Sequence, residues 1–319
     1  MSSDKAESGG GFGHVPVLLA EVIEGLNINP HGIYVDGTAG GGGHSAAIAA
    51  KLADGRLIAL DQDADAVAAA GERLAPFGER AVVVKENFLH MDRVLEDLGV
   101  DAIDGFLLDL GVSSHQLDSA ERGFSYMKDA PLSMKMDETS AFGAYEVVNG
   151  YSEEDLCRIL FEWGEEKFAR RIARGIVEAR RRRPIETTLE LVKIIESSIP
   201  DGGKSRTHHP AMKTFQAIRI EVNHEIEIIR PTVEKAASLL KPGGRGCVIT
   251  FHSVEDRAVK EAVSGLAKGC VCPRDFPVCV CGRKPTVRTV TSKPVTPSVR
   301  ELADNPRSHS AKLRIIEKL

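Results

Sequence analysis

The stretch Tyr34-Val-Asp-Gly-Thr-Ala-Gly-Gly-Gly-Gly-His-Ser45 decides the fold of this 319-residue chain. A short β-branched and apolar run ends in an acid, Asp36, and then turns through four glycines, residues 40–43, into an alanine-rich helical pattern. This order is typical of the first βα turn of a nucleotide-cofactor domain. Each glycine costs roughly 0.5–1 kcal/mol of chain entropy relative to alanine, so four in a row indicate a ligand loop rather than a plain turn.

The residues around the glycines indicate which cofactor the loop holds. A dinucleotide loop has the pattern Gly-x-Gly-x-x-Gly, and counted from Gly40 its third glycine is replaced by Ser45. Asp36 would repel a pyrophosphate but can accept hydrogen bonds from the α-ammonium group of S-adenosylmethionine. Asp61, which ends the second predicted strand, can take ribose hydroxyls in either case. The pattern favours group transfer from S-adenosylmethionine, with a dinucleotide-dependent oxidoreductase as the alternative.

Predicted strands alternate with helices in the first third of the chain and again near its end. Such alternation specifies a parallel sheet with right-handed crossovers. The strands are predicted at residues 33–36, 57–61, 81–85, 105–109, 247–251 and 311–318, with a turn at 241–245 and a helix after Ser253.

The stretch from about Gln116 to about Thr232 lacks this alternation and reads as helices joined by short polar loops. Apolar residues recur at helical spacing over residues 165–183 and 187–199. We therefore predict an α/β fold in which an all-helical insertion interrupts one sheet domain. The predicted parts are a disordered tail at 1–13, a sheet domain at 14–116 and 233–319, and the insertion at 117–232.

Composition excludes several classes of protein. No apolar run approaches the roughly 18 residues of a membrane span, and the first thirteen residues lack a signal-peptide core. We therefore expect a cytoplasmic protein without a membrane partner, whose six cysteines are reduced. A net charge of -5 argues against wholesale coating of nucleic acid but allows a local basic face.

Four candidate ligand residues follow the predicted parallel strands. Ligands of open α/β sheets bind beyond the carboxyl ends of the strands, where Asp36, Asp61, Phe88 and Asp109 would converge. Phe88 can lie against an adenine or belong to the core. This convergence is more specific than any one of the residues alone.

Six motifs together resemble the RsmH (MraW) family. They are Asp36-Gly-Thr-x-Gly-x-Gly-Gly-His-Ser45, Leu107-Leu-Asp-Leu-Gly-Val-Ser-Ser114, Arg122-Gly-Phe-Ser125, Phe215-Gln-Ala-Ile-Arg-Ile220, Phe251-His-Ser-Val-Glu-Asp-Arg257 and Asn305-Pro-Arg307. The resemblance implies a Rossmann-like methyltransferase sheet with S-adenosylmethionine as cofactor, and methylation of the exocyclic N4 amine of a cytidine in small-subunit (16S) ribosomal RNA. It implies cofactor contacts at Gly42, Gly43, His44, Asp61, Phe88, Asp109 and Gln116.

Methylating a cytosine amine requires orientation, because the nitrogen lone pair is delocalised into the ring. An acceptor on the amine would favour a nucleophilic nitrogen. Asp109 has two candidate roles, amine orienter and cofactor contact, and the resemblance favours the second. His252 and Ser253 are the next candidates to line the base pocket. Their alternative role is structural, with Ser253 as an N-cap.

The cysteines exclude one rival and leave one question open. Methylation of pyrimidine carbon 5 generally requires a presented cysteine, commonly after a proline, and this chain has no Pro-Cys dipeptide. No metal ligand is assigned at the active site. Four thiols with C-x-C-x6-C-x-C spacing either bind zinc or remain reduced or redox-sensitive. They are Cys270, Cys272, Cys279 and Cys281.

Basic residues concentrate in the insertion, at Lys167, Arg170, Arg171, Arg174 and residues 180–183. We expect them to grip small-subunit ribosomal RNA or the assembling small subunit, although a solvated face paired with nearby glutamates is the alternative. Two alternative functions stay open: methylation of another amine substrate (DNA, other RNA or protein), and a non-catalytic, cofactor-sensing role in RNA binding. A homodimer is possible.

Overall fold

The computed structural model of the protein describes residues 16–200, 208–268, 270, 272–273, 276–278 and 280–319. The predicted tail at 1–13 and Cys279 lie outside the described residues. The chain divides into two compact units, here called the sheet unit (up to Leu110, Thr232–His252 and Val259–Leu319) and the helical unit (Gly111–Pro231 and Ser253–Ala258). Residues 111–116 and 253–258 thus group with the helical unit, although they were predicted in the sheet domain, and Thr232 groups with the sheet unit, although it was predicted in the insertion.

The described residues of the sheet unit form a seven-stranded sheet in the order β3-β2-β1-β4-β5-β7-β6. Neighbours among β1 to β5 are parallel, and β7 runs antiparallel to both β5 and β6. The strands are β1 (Ile33–Asp36), β2 (Arg56–Asp61), β3 (Ala81–Lys85), β4 (Ile103–Asp109), β5 (Leu240–Thr250), β6 (Val287–Thr289) and β7 (Lys312–Lys318).

The strand order positions a ligand crevice. The chain runs outward from β1 to β2 and β3 on one side and returns to β4 on the other, so the order reverses between β1 and β4. This switch point is where open α/β sheets bind ligands. The dinucleotide-binding order 3-2-1-4-5-6 lacks the antiparallel β7 that is inserted here between β5 and β6.

The central strands are buried on both sides because helices cover both faces of the sheet. In β4 the residues from Gly105 to Leu108 are all buried, which is typical of a parallel strand. Helices of this unit are α1 (Leu19–Leu26), α2 (Gly43–Ala49), α3 (Ala64–Leu74), α4 (Met91–Asp97) and α13 (Val299–Asp304); α11 (Ile229–Leu239) and α12 (Ser253–Lys268) cross the unit boundaries.

The predicted strands are confirmed within a few residues, with one error at β5. A turn was expected at residues 241–245, but β5 already begins at Leu240. Its partners on β4 shift from Ile103 opposite Leu240 to Gly105 opposite Arg245, so residues 241–244 bulge out of the ladder. The Pro-Gly-Gly sequence that suggested a turn makes this bulge, with Gly243 at φ +80.

The helical unit is built around one apolar core. Its helices are α5 (Ser114–Asp118), α6 (Ala144–Gly150), α7 (Glu153–Glu162), α8 (Ala169–Arg180), α9 (Thr188–Ser198) and α10 (Met212–Asn223). The expectation of short polar loops is wrong for residues 123–143, which are irregular yet bury Leu132, Met134 and Met136 in that core. Backbone groups there are satisfied by side chains, as where Arg122 donates to the carbonyl of Met136 at 3.1 Å.

No helix within the described part of the chain is both long and apolar enough to cross a membrane.

Candidate active site

The glycine loop after β1 is tied to the carboxyl ends of two other strands. The Gly37 N–H donates to the Leu107 carbonyl of β4, and the Ala39 N–H donates to the Leu60 carbonyl of β2, each at 2.9 Å. The Gly42 N–H donates to Ala39 at 2.8 Å and closes the turn. Since strands hold both sides of the loop, its shape is preformed by the sheet.

Asp36 lies beneath this loop. Its side chain has 0% exposure, its Oδ2 accepts a hydrogen bond from the Ser45 hydroxyl at 2.6 Å, and its Oδ1 accepts one from the Thr38 N–H at 3.1 Å. Burial raises the pKa of this carboxyl, opposed by the Ser45 hydrogen bond. Both oxygens are therefore buried and hold the loop to α2, and the expected contact of Asp36 with an α-ammonium group stays a prediction.

Asp61 supports the loop from β2. One carboxylate oxygen accepts the Gly40 N–H at 2.8 Å and the other accepts the Asp63 N–H at 2.9 Å. Burial raises the pKa of Asp61 to about 6, against the lowering effect of these two hydrogen bonds. A carboxylate has about four acceptor positions, so two backbone bonds leave room for ribose hydroxyls.

The glycines have different neighbours. Gly40 has φ +50, and a Cβ added there would meet nothing within 4 Å. Gly42 has φ +75, and its Cβ would lie 3.1 Å from the Ala70 Cα of α3. At Gly43 a Cβ would come within 2.5 Å of Pro16. The open side of the loop is therefore at Gly40, whereas Gly42 and Gly43 allow close packing within the protein.

Phe88 begins the turn after β3 and reaches the foot of the glycine loop. A Cβ on Gly37 would lie 3.0 Å from the Phe88 Cβ and 2.6 Å from Leu108, so glycine at 37 makes room for both. The neighbouring Asn87 donates to Gln62 at 2.8 Å and links the ends of β3 and β2. Phe88 is partly buried, which fits either an adenine contact or the core.

Asp109 ends β4 at the switch point. Its N–H donates to the Thr38 hydroxyl of the loop at 2.6 Å, and its Oδ2 lies 3.7 Å from Nδ1 of the buried His44. Nε2 of His44 bonds the Val17 carbonyl at 2.9 Å, so Nε2 carries the proton. A separation of 3.7 Å is too long for a hydrogen bond but suits an ion pair if the imidazole is doubly protonated. His44 thus sits between the N-terminal segment and Asp109.

The comparisons with known proteins identify the family of the chain. Residues 11–319 match the MraW methylase family. The chain belongs to that family. One relative, the ribosomal RNA small subunit methyltransferase H 2 of Agathobacter rectalis, is 54% identical over 309 residues, covering 96% of this chain and 98% of the relative. The ribosomal RNA small subunit methyltransferase H of Geotalea daltonii is 54% identical over 309 residues, covering 97% and 99%. A solved rRNA methylase from Streptococcus thermophilus has TM-score 0.40 and 14% identity over 95% of this chain and 92% of that one.

Membership in the MraW methylase family confirms the family suggested by the motifs. It also confirms the predicted class of enzyme, a methyltransferase whose cofactor is S-adenosylmethionine. The structure confirms the predicted α/β fold with a Rossmann-like sheet. The roles of individual residues stay predictions, which the geometry above makes more specific.

The glycine loop after β1 and the side chains of Asp61, Phe88 and Asp109 beside it are here called the cradle. The cradle fits this cofactor on two structural grounds. The backbone at Gly40 faces open space beside the Asp61 carboxylate, which retains acceptor positions. Asp109 adds a second acid at the switch point, and acids suit a cofactor with positive sulfonium and ammonium groups better than a pyrophosphate. Asp61, Phe88 and Asp109 are the residues that would hold S-adenosylmethionine.

Three other predicted site residues lie at or next to the starts of α5 and α12. Gln116 forms a capping box with Ser113 at the start of α5 and belongs to the helical unit. The Ser253 hydroxyl donates to Glu165 at 2.7 Å within the helical unit, rather than acting as the expected N-cap, since Ser253 is already the first residue of α12. His252 is partly buried and lies with Phe251 between β5 and α12.

Sequence reasoning missed Ser45, Thr38 and Glu165 as site-building residues. Ser45 and Thr38 lie within the glycine motif, but their partners, Asp36 and Asp109, are set by the tertiary fold. Glu165 has φ +48 and accepts hydrogen bonds from Ser253 and Arg257, each at 2.7 Å. Its left-handed backbone, uncommon outside glycine, marks it only once the structure is known.

Proposed function

We propose that this chain transfers the methyl group of S-adenosylmethionine to the exocyclic N4 amine of a cytidine in small-subunit ribosomal RNA. The observation that carries the proposal is the match over almost the full length of relatives named ribosomal RNA small subunit methyltransferase H. The preformed cradle at the switch point supports it. The choice of N4 and of cytidine rests on the motifs shared with the family.

The role proposed for the residues of this chain is to position the cofactor and the target amine. When bound, S-adenosylmethionine supplies a methyl group already activated by its sulfonium. Asp61 would accept the ribose hydroxyls, and Phe88 would lie against the adenine. Asp109, at the end of β4, would accept a hydrogen bond from the cofactor or from the target amine, the latter favouring a nitrogen lone pair aimed at the methyl carbon. The proton lost from that nitrogen passes to a carboxylate or to water.

The helical unit offers a basic face for the RNA. Lys167, Arg170, Arg171 and Arg174 are all exposed along α8 and its approach, where their spacing places them on neighbouring turns. Arg170 and Arg174 line an open groove of about 930 Å³ with the 69% exposed Phe161. Basic side chains beside an exposed aromatic ring fit a single-stranded RNA segment, through phosphates and a stacked base. Acidic residues, Glu153 among them, also line the groove and would set where the phosphates lie.

The run at residues 180–183 contributes less to this face than the sequence suggests. Arg180 donates to the carbonyls of Val148, at 2.6 Å, and of Tyr151. Arg183 pairs with Glu190 at 2.5 Å. Arg181 and Arg182 are exposed and stay candidates for RNA contact. We therefore propose that the RNA is bound mainly by the basic residues of α8. The proposed reaction takes place in the cytoplasm, where small subunits assemble.

The experiment that tests the function is transfer of radiolabelled methyl to small-subunit particles that lack the modification, followed by nucleoside analysis. We expect label in N4-methylcytidine. Free ribosomal RNA serves as a parallel substrate and distinguishes RNA from the assembled particle. Binding of cofactor and RNA without transfer would indicate a cofactor-sensing RNA-binding protein instead, and label in another nucleoside would exclude the N4 assignment. Sedimentation of the same preparation tests the predicted possible homodimer.

A further inference from the structure

The segment between α12 and β6 is closed at its base, but its described residues form no buried core. The Thr286 N–H donates to the Leu266 carbonyl at 3.0 Å, and the Leu319 N–H donates to the Thr286 carbonyl at 3.1 Å. Of its described residues between 270 and 286, none is buried. Apolar side chains are exposed there, with Phe276 at 49% and Val280 at 74%. Since hydrophobic burial holds so little of this segment, its shape requires another source of stability.

Three thiols meet inside this segment. The Sγ atoms of Cys270, Cys272 and Cys281 lie within 4.8 Å of one another, although the residues are up to eleven positions apart in sequence. Cys270 and Cys281 have Sγ atoms 3.8 Å apart. Tetrahedral zinc with Zn–S bonds of about 2.3 Å places its sulfurs about 3.8 Å apart, whereas a disulfide requires about 2.05 Å.

A backbone donor also points at one of the sulfurs. The Val280 N–H lies 3.4 Å from the Sγ of Cys272. Hydrogen bonds of this kind stabilise thiolates and orient metal ligands. The segment and its edges carry Lys268, Arg283 and Lys284, whose positive charges offset those of thiolates bound to a divalent ion.

We propose that Cys270, Cys272 and Cys281 bind one structural zinc ion, which holds the segment between α12 and β6 in place. The donor set is soft thiolate, which selects zinc over magnesium or calcium. A fourth donor completes the tetrahedron. The site lies outside the cradle of the methyltransferase, and its role is to stabilise a segment whose described residues bury little apolar surface.

The test measures metal in the full-length chain, purified without a histidine tag and passed through a chelating resin. We expect about one zinc per chain by elemental analysis. Cobalt(II) added to the stripped protein should produce the intense thiolate-to-cobalt charge-transfer absorption and tetrahedral ligand-field bands. These measurements use the native sequence and do not depend on the folding of any variant.

Serine variants of the three cysteines assign the ligands. C270S, C272S and C281S should each lose the bound zinc on dialysis and weaken the cobalt absorption. The matched control is C157S, the same change at a partly buried cysteine of α7 in the helical unit, which should keep one zinc per chain. Zinc retained in C272S and C281S, iron in place of zinc, or a disulfide among these thiols in the non-reduced native protein would each overturn the proposal.

Discussion

Two runs of four identical residues, the glycines at 40–43 in the sheet unit and the arginines at 180–183 in the helical unit, invite comparison. In the sequence each run reads as one functional patch. In the structure each divides: Gly40 faces open space while Gly42 packs on α3, and Arg180 binds backbone carbonyls while Arg181 and Arg182 face solvent. Identical neighbours in sequence therefore take different roles because the backbone turns under them.

The physical causes differ between the two runs. Glycine acts through its backbone, so the role of each one depends on φ and on what lies next to the absent Cβ. Arginine acts through a long side chain, so its role depends on where the helix ends. Helix α8 ends at Arg180, which reaches back to the end of α6 and the residue after it, and the following residues leave the helix.

The glycine run can be tested by substituting two of its members. G42A forces a left-handed φ on alanine, at about 1–2 kcal/mol, and crowds the Ala70 Cα, at about 1–3 kcal/mol more. G40A carries only the first cost, since its Cβ enters open space. We expect urea denaturation to show a larger loss for G42A. Equal losses would mean that the close approach to α3 does not matter.

The next largest loss of stability is expected from removing the buried hydrogen bond between Ser45 and Asp36 beneath the glycine run. S45A removes the hydroxyl that donates to the fully buried Asp36, and losing a hydrogen bond to a charged group costs about 1.5–3 kcal/mol. The free energy of unfolding of S45A, D36N and the double variant gives the coupling between the two residues. Additive losses would contradict a direct bond between them.

The arginine run should separate stability from RNA binding. R180Q removes donors from two helix-end carbonyls, so we expect about 1–2 kcal/mol of lost stability. R181Q/R182Q should change stability by no more than about 0.5 kcal/mol. The double variant should instead reduce the salt dependence of binding to a ribosomal RNA fragment. If R181Q/R182Q destabilises the chain and R180Q does not, the division of the run is wrong.

The smallest expected effect is the pH dependence that arises from Asp61, whose carboxylate accepts a hydrogen bond from the Gly40 N–H. Burial raises the pKa of Asp61 to about 6, from an ordinary value of 3.8. Its contribution to the stability of the unliganded chain is full below 3.8 and is lost as pH rises through 6. Cofactor binding should follow the opposite direction, because the role proposed for Asp61 is to accept ribose hydroxyls as a carboxylate, so affinity should fall by up to about fivefold from pH 6 to 5. Titration calorimetry measures this, and D61N should bind more weakly without the pH dependence.

Strands were easier to predict than the irregular segments. Each of β1 to β4 contains an apolar or β-branched run, and β1 and β3 match their predicted bounds. The bulge in β5 and the short β6 were missed, because the pairing that makes them strands involves β4 and β7, which are distant in sequence. Residues 123–143 looked like loops because the buried Leu132, Met134 and Met136, although they alternate with Ser133 and Lys135, span only five positions.

In the candidate site, too, some features were predictable from the sequence and others were not. The convergence of Asp61, Phe88 and Asp109 at strand ends was predictable, because parallel strands present their carboxyl ends at one edge. The burial of Asp36 was not, since it depends on Ser45 folding over it from α2. Ser253 reaches Glu165, 88 residues away, and no local pattern records such a contact.

The order of residues along the chain was enough to predict a sheet whose first five strands are parallel, a glycine loop at its switch point and a helical insertion, because periodicity and glycine content act locally. Only the tertiary structure decided which acid is buried under the loop, which arginines face solvent and which thiols meet. Those outcomes depend on distances between residues far apart in sequence, and such distances exist only after the backbone has closed on itself.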